Sequence, residues 1–465
     1  MDEISGSQSH LTEKLRLLQE LGYSDIYMHE DSPAVFRYRS VDDWDTDSDL
    51  CVLDVIAACL TTGKPGDVVA AAFDKREQIS LVLAKSGNID SADYAATRAF
   101  LSALREAESW INLLPFLATH SKQNVDKRVR NLHESITDLC DELKSTAMSY
   151  KFSSIEDQFP RSSLYRKAKY PKESPTPQRF LFDIIGSCVS RSTGFDMQDN
   201  ASSRSQYIQL FGAADSLRHA AFLAYLASKY YEEGDSTFKG RVERLKRHLD
   251  KVCQYAKIET LMRLAKRFPS VPFRWIEDQL VGRGEGSLEI CKDPMKVMEQ
   301  VLGHSPSPQQ TCMLLQRYPE LGKNWEQRRS INLCIHPEIR IVLHLSRPLL
   351  TRFLSSRNDS KHLPIGCSKR SCLCCMLWIA SFNEVTRMLW VTSGSNGKPY
   401  DNWALPGAAG EMKLVPSWDK VDAKVLRGIH WRLYGKLNTI CIWASDDFVL
   451  PNCSEEMPES GHMHI

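Results

Sequence analysis

The sequence predicts an α-helical N-terminal region followed by an α/β C-terminal domain. Three observations carry that prediction. In the first half, apolar residues recur three and four apart: Val125, Val129, Leu132, Ile136, Leu139 and Leu143. That spacing keeps one helical face apolar, and charged residues fill the positions between. Beyond about Gly303, short apolar runs alternate with helical ones, the pattern of α/β folds. The chain has 465 residues, more than one ordinary core, since domains run about 100–200 residues.

The bounds read as a helical region over 1–160, a linker or long loop over 161–179, a second helical region over 180–302, a domain over 303–445 and a tail over 446–465. In the first region Phe100, Leu104, Ile111 and Leu114 share an apolar face. Asp90 or Ser91 caps the start of that helix and Asp93 sits in its first turn. The Val125–Leu143 seam is too short for a long coiled coil and predicts a bundle helix. Residues Arg166 to Gln178, RKAKYPKESPTPQ, hold three prolines. Proline removes a backbone donor and disfavours helix in the residue before it. Arg161, Arg166, Lys167, Lys169 and Lys172 make this stretch basic, either as solvated linker or as a binding patch.

In the second region a helix from about Ser205 stops near Gly234. Another begins after Asp235 or Ser236, with Phe238, Val242, Leu245, Leu249 and Val252 on one face. Lys239, Arg241, Arg244, Lys246, Arg247 and Lys251 make its other face basic, a solvated face or one for a polyanion. Beyond Gly303, Ile331 to Leu345 reads as a helix after a short extended piece. His362 to Cys367 reads as a strand, Cys372 to Val385 as a helix, and Met388 to Thr392 as a strand. Lys420 to Tyr434 reads as a helix stopped by Gly435, and Thr439 to Trp443 as a last strand. His462 and His464 belong to the frayed tail.

Hydrophobic residues make up 42% of the chain, charged residues 25%, and the formal net charge is +1. This is ordinary for a folded protein and gives no overall basic signal for nucleic acid. The opening residues lack a basic segment followed by an apolar run, so no secretory signal is expected. No uncharged stretch reaches membrane-spanning length. The expected location is intracellular, cytoplasm or nucleus. The 14 cysteines are then thiols or metal ligands rather than disulfides. Cys51, Cys59, Cys140, Cys188, Cys253, Cys291 and Cys312 lie scattered in helix-like sequence and read as core. Cys367, Cys372, Cys374 and Cys375 are clustered.

The chemistry lies in two segments. CIHPEIRIVLHL, Cys334 to Leu345, holds His336-Pro337-Glu338. IGCSKRSCLCC, Ile365 to Cys375, holds Cys372-Leu373-Cys374-Cys375. An H-x-E with a downstream C-x-x-C is the pattern of zinc deaminases. Three protein ligands, His336, Cys372 and Cys375, leave a tetrahedral zinc one position for water. The metal lowers the pKa of that water to about 7. Glu338 is placed to take its proton and return it as general acid/base. Pro337 suits the first turn of a helix, where its missing N–H is unpaired anyway. Cys372 and Cys375 fall at i and i+3 in the first turn of the next helix, where its positive end favours thiolate. Cys374 points away into the core. Cys367 ends a strand and is a candidate pocket residue. Cys334 is packed. His344 is core or pocket wall.

These segments resemble the cytidine-deaminase-like superfamily, in particular a branch seen in bacterial toxins and fungal proteins. The resemblance rests on the H-x-E at His336, the run Ser368-Lys369-Arg370-Ser371-Cys372 through Cys375, and Trp403-Ala404-Leu405-Pro406. It covers roughly residues 330–407. It implies a three-layer α/β/α domain with a mixed sheet, a buried Zn2+, Glu338 as general acid/base, and a long helical region ahead of the domain. Many members carry alanine or valine where Pro337 stands and proline where Ser371 stands. Ser368 and Lys369 are candidates to shape the pocket or meet a phosphate. Trp403 is read as a stacking platform for a base or as core.

The function expected is zinc-dependent hydrolytic removal of an amine from a nucleobase, free or within a nucleotide or nucleic acid. The alternatives are a catalytically inactive, zinc-stabilised protein whose helical half binds a protein partner, and a nucleic-acid-binding protein using the basic helix and linker.

Overall fold

The computed structural model describes residues 2–25, 44–172, 174–232, 236–267, 271–277, 286–353, 362–406 and 418–442. The chain forms two compact units that alternate along the sequence. One takes Met1–Asp54, Val68–Ile89 and Pro272–Ile465; the other takes Val55–Asp67 and Asp90–Val271.

The first unit is built on a five-stranded mixed sheet. Its strands are β1 (Val69–Asp74), β2 (Ser80–Lys85), β3 (Phe273–Trp275), β6 (His362–Cys367) and β7 (Leu389–Thr392), in the order β3-β2-β1-β6-β7. Two short strands, β4 (Ser287–Glu289) and β5 (Ser330–Asn332), pair separately. β1 runs antiparallel to β2, with Val69 opposite Lys85, and antiparallel to β6, with Ala70 opposite Cys367. β2 is parallel to β3 and β6 is parallel to β7.

Side chains alternate along these strands, so each strand serves two layers. Ala70, Ala72, Val82, Ala84, Ile365 and Cys367 join a core with helices Pro337–Phe353 and Leu373–Thr386. Gly366 points the other way, against helix Trp44–Leu60. A Cβ there would meet the Leu53 carbonyl carbon at 2.0 Å and the Asp54 nitrogen at 2.2 Å. The architecture is therefore three-layered, as the resemblance implied.

The strand over 362–367 and the helix over 373–386 lie where the sequence placed them, whereas the helix read over 331–345 begins only at Pro337, after β5, and runs to Phe353. The region read as purely helical is different: it contains β1 and β2. Their runs, VAAAFD and SLVLAK, are almost wholly buried. A continuous apolar run covered on both faces loses the period-two signal.

The C-terminal reading also needs correction. Helix Trp418–Ile442 continues through Gly435 and takes in Thr439 to Ile442, read as a strand. Val421, Val425, Ile429, Leu433, Leu437 and Ile440 are all buried along it. Glycine in a helix interior costs about 1 kcal/mol. Burying Leu437 and Ile440 returns about 1.5–3 kcal/mol each, so the helix continues. Trp443 and the tail at 446–465, with His462 and His464, lie outside the described residues.

The second unit is helical throughout its described residues. Asp90 caps helix Ser91–Glu106 in a capping box, accepting from Ala92 and Asp93 N–H groups while the Asp93 carboxylate accepts from the Asp90 N–H. Phe100 and Leu104 are buried in it, but Ile111 is exposed. A 3-10 turn at Trp110–Leu113 begins there and gives the buried positions to Trp110 and Leu113. The Val125–Leu143 seam is buried throughout. It spans helix Lys122–Asp138 and the start of helix Cys140–Ser149, with Leu139 between them.

Residues 161–179, read as linker or loop, carry helix Ser163–Lys169 and the start of helix Pro177–Ser192. The helix expected from Ser205 to Gly234 is two helices, Ala201–Arg218 and Ala221–Glu232, and Gly234 and Asp235 lie outside the described residues. Nothing in the local sequence marks that break. Helix Ser236–Cys253 buries Phe238, Val242, Leu245, Leu249 and Val252 as expected. Part of its basic face is paired within the bundle: Arg241 with Asp138 and Glu142, Lys239 with Glu243. Of the scattered cysteines Cys59, Cys188 and Cys253 are buried, while Cys312 is exposed. Among the described residues no helix is long and apolar enough to cross a membrane.

Candidate metal centre

Two helix N-termini and one loop build the site. β5 leads through Cys334 to His336, which precedes helix Pro337–Phe353. Pro337 occupies the first helical position, where a missing N–H costs nothing. β6 leads through Ser368–Ser371 to Cys372. Cys372 is the N-cap of helix Leu373–Thr386, one residue before the helical turn in which the sequence placed it. Its Sγ accepts the Cys375 N–H at 3.3 Å, where a serine or aspartate oxygen usually caps a helix.

His336 Nδ1 lies 3.5 Å from Cys372 Sγ and 3.4 Å from Cys375 Sγ. All three donor atoms fall within 4.8 Å of one another, a group that could hold a metal ion. Both thiols are buried, and Glu338 is only 4% exposed. One imidazole and two sulfurs beside a buried carboxyl suit a borderline-soft divalent ion.

The electrostatics fit that use. Burial alone would push the Cys372 thiol up and the His336 imidazole down. Hydrogen bonding from Cys375 and the charge of His336 overcome this and hold Cys372 well below the usual thiol range. The Cys372 charge in turn raises His336 well above the usual imidazole range. Burial, and then the neighbouring Cys372, push Cys375 well up. A bound cation would displace protons from these groups. Burial also raises the Glu338 carboxyl, opposed by His336.

The other candidate residues fall in different places. Cys374 is fully buried in the core, as read. Cys367 is buried at the end of β6, and the Glu338 charge adds to burial in raising its thiol, which sets it beside the site. His344 Nε2 accepts from Arg274 Nε at 3.4 Å and takes no part in the cluster. Ser368 Oγ accepts the Val69 N–H at 2.9 Å, tying β6 to the start of β1. Lys369 is exposed. Trp403 is fully buried, and its indole N–H donates to Cys375 Sγ at 3.2 Å. Its place is in the core against the Cys375 sulfur.

Three contacts had no signal in the sequence. The Tyr400 ring stands edge-on to His336, with centroids 6.1 Å apart. Cys334 pairs with the Trp403 segment: its N–H donates to the Asn402 carbonyl at 2.9 Å, and its carbonyl accepts the Ala404 N–H at 3.0 Å. Arg340 is buried and donates to the Lys85 and Ile276 carbonyls at 2.8 Å each, tying the H-x-E helix to the ends of β2 and β3.

The segment that carries this cluster is deaminase-like in sequence. Residues 335–407 match the family described as OTT_1508_deam-like deaminase. That span contains His336, Glu338, Ser368, Lys369, Cys372, Cys375 and Trp403. Comparison with curated proteins and with solved structures found no match for the chain.

Proposed function

We propose that the chain is a zinc-dependent hydrolytic deaminase acting on a nucleobase in a nucleoside, nucleotide or nucleic acid. The observation that carries this reading is the buried Glu338 carboxyl beside the His336–Cys372–Cys375 cluster, inside a deaminase-family segment. A purely structural zinc site needs no carboxyl there.

His336, Cys372 and Cys375 would hold the ion. Zinc there supplies a water-derived nucleophile near neutral pH. Glu338 would take one proton from the attacking water and pass it to the ring nitrogen, then carry the second proton, from the new hydroxyl, to the leaving amine. The new C–O bond replaces the broken C–N bond, one water is consumed and ammonia leaves. Burial of Glu338 keeps bulk water from the carboxyl and raises its pKa, with His336 opposing the rise. Thiol ligands require reducing conditions, which favours the cytoplasm or nucleus.

The reading is tested by ammonia release from nucleosides, nucleotides and single-stranded oligonucleotides, with Glu338→Gln as comparison. We expect release from at least one substrate class, falling by about 10²–10⁴-fold in the variant, the span of general acid–base catalysis. Equal release by wild type and variant would remove Glu338 from the reaction.

A further inference from the structure

The family-matched segment is completed by residues more than 300 positions earlier in the sequence. Helix Asp2–Glu20 belongs to the sheet-bearing unit. Gln8 on this helix is buried at 1% exposure. Its Nε2 donates to the Trp403 carbonyl at 3.1 Å and its Oε1 accepts the Leu405 N–H at 2.7 Å. The amide thus pairs with residues 403–405 as a neighbouring strand would. Nε2 also donates to Thr12 Oγ1 at 3.0 Å, which fixes the amide orientation. On its other edge the same segment pairs with Cys334, two residues before His336.

Further contacts hold the rest of this loop. Arg16 donates to the buried Asp401 carboxylate at 3.2 Å, and Arg328 reaches the same carboxylate at 3.2 Å. The Asp25 N–H donates to the Gly397 carbonyl at 2.9 Å. Residues 8–25 therefore run along 396–405. The one side chain of that loop that reaches a ligand sulfur is Trp403.

We infer that Gln8 is a positioning residue of the metal centre: it fixes residues 403–405, and so holds the Trp403 indole N–H on Cys375 Sγ. The inference rests on the metal-centre reading above. Its physical basis is the outer-shell effect, in which donors to a ligand atom orient that ligand and tune its charge. An N–H donated to a thiolate sulfur withdraws charge from the metal–sulfur bond, so the loss should be visible spectroscopically. Without Gln8 the buried Trp403 carbonyl and Leu405 N–H lose their partners, and the segment must shift to find others.

The test uses the full chain loaded with cobalt(II), whose thiolate charge-transfer bands report the sulfur ligands. Zinc affinity is measured by chelator competition. Gln8→Met keeps the side-chain volume and removes both hydrogen bonds. Trp403→Phe keeps a ring and removes the N–H. Each should weaken zinc binding by about 10–100-fold and move the cobalt–thiolate band in the same direction. The double variant should lose no more than Trp403→Phe alone, because Gln8 acts through Trp403. Leu15→Ala is the structural control. It empties a core position on the same helix, and should lower the melting temperature with affinity and spectrum unchanged.

If Gln8→Met does not fold, Gln8→Glu keeps the acceptor for Leu405 and is read in the same way. A Gln8 variant that folds and binds zinc as wild type does, with an unmoved cobalt band, overturns the inference. Losses that add in the double variant overturn it too. A wild type that takes up no metal instead removes the centre itself, which distinguishes failure of the underlying reading from failure of the role given to Gln8.

Discussion

Gly366 is the position where the packing of β6 against the outer helix allows the least change. A Cβ there would stand 2.0 Å from the Leu53 carbonyl carbon, 2.2 Å from the Asp54 nitrogen and 2.5 Å from Leu53 Cβ. Two of these are main-chain atoms, which no rotamer change moves. Restoring ordinary contact requires sheet and helix to part by roughly 1.5 Å, well beyond the gap of about 0.5–1 Å that already forfeits a quarter to a half of each dispersion contact. Overpacking of this kind costs about 1–3 kcal/mol. The same separation breaks the Cys367 N–H bond to Asp54 Oδ1, 2.8 Å long. An unpaired buried N–H adds about 1–3 kcal/mol. Gly366→Ala should therefore destabilise the first unit by about 2–6 kcal/mol. The assay is urea unfolding followed by tryptophan fluorescence, since Trp378, Trp390 and Trp403 are buried in this unit. A lowered midpoint with an unchanged slope is expected. An alanine variant within about 0.5 kcal/mol of wild type would refute the close approach of helix Trp44–Leu60 to β6.

Other predictions address the remaining supports. Arg340→Met leaves the Lys85 and Ile276 carbonyls without their guanidinium donor. It should cost roughly 2–5 kcal/mol, read as a lower urea midpoint, and an unchanged midpoint would contradict the tie. Asp90→Ala removes the capping box of helix Ser91–Glu106 and should cost about 0.5–2 kcal/mol, seen as faster amide exchange in the first turn. His248 is held neutral, at a pKa of about 4, by burial and then by Lys251, Arg247 and Arg244. Its folded pKa lies below its unfolded one, so its contribution is complete above about pH 6.5 and is lost as pH falls towards 4. The ring is only half-buried, so the loss is about 1–2 kcal/mol after screening. His248→Gln should flatten the stability profile in that window, and an unchanged slope would exclude His248 as its source.

The site was legible in the sequence because its chemistry is local. His336 and Glu338 are two residues apart, Cys372 and Cys375 three, and Pro337 marks the helix start. β6 and the two site helices could be placed because strand-like and helix-like runs alternate there without interruption. The hairpin of β1 and β2 escaped because strands buried on both faces have no alternation to read. Gly435 misled for a different reason. A glycine stops a helix only where nothing beyond it has to be buried, and Leu437 and Ile440 do. Gln8 could not be found at all from sequence, because its partners lie 395 and 397 residues away. An amide that pairs with a backbone edge leaves no motif. Trp403 was noticed, but its role depends on which way the indole nitrogen points, and only the fold decides that.

The proposed chemistry requires that His336, Cys372 and Cys375 hold one metal ion beside Glu338. The most direct measurement is zinc content per chain, after purification without chelator, for wild type, Cys372→Ser, Cys375→Ser and Glu338→Gln. About one zinc per chain is expected in wild type and in Glu338→Gln, with loss of zinc in both cysteine variants. Zinc retained without Cys372 and Cys375, or a folded wild type that binds none, would contradict it.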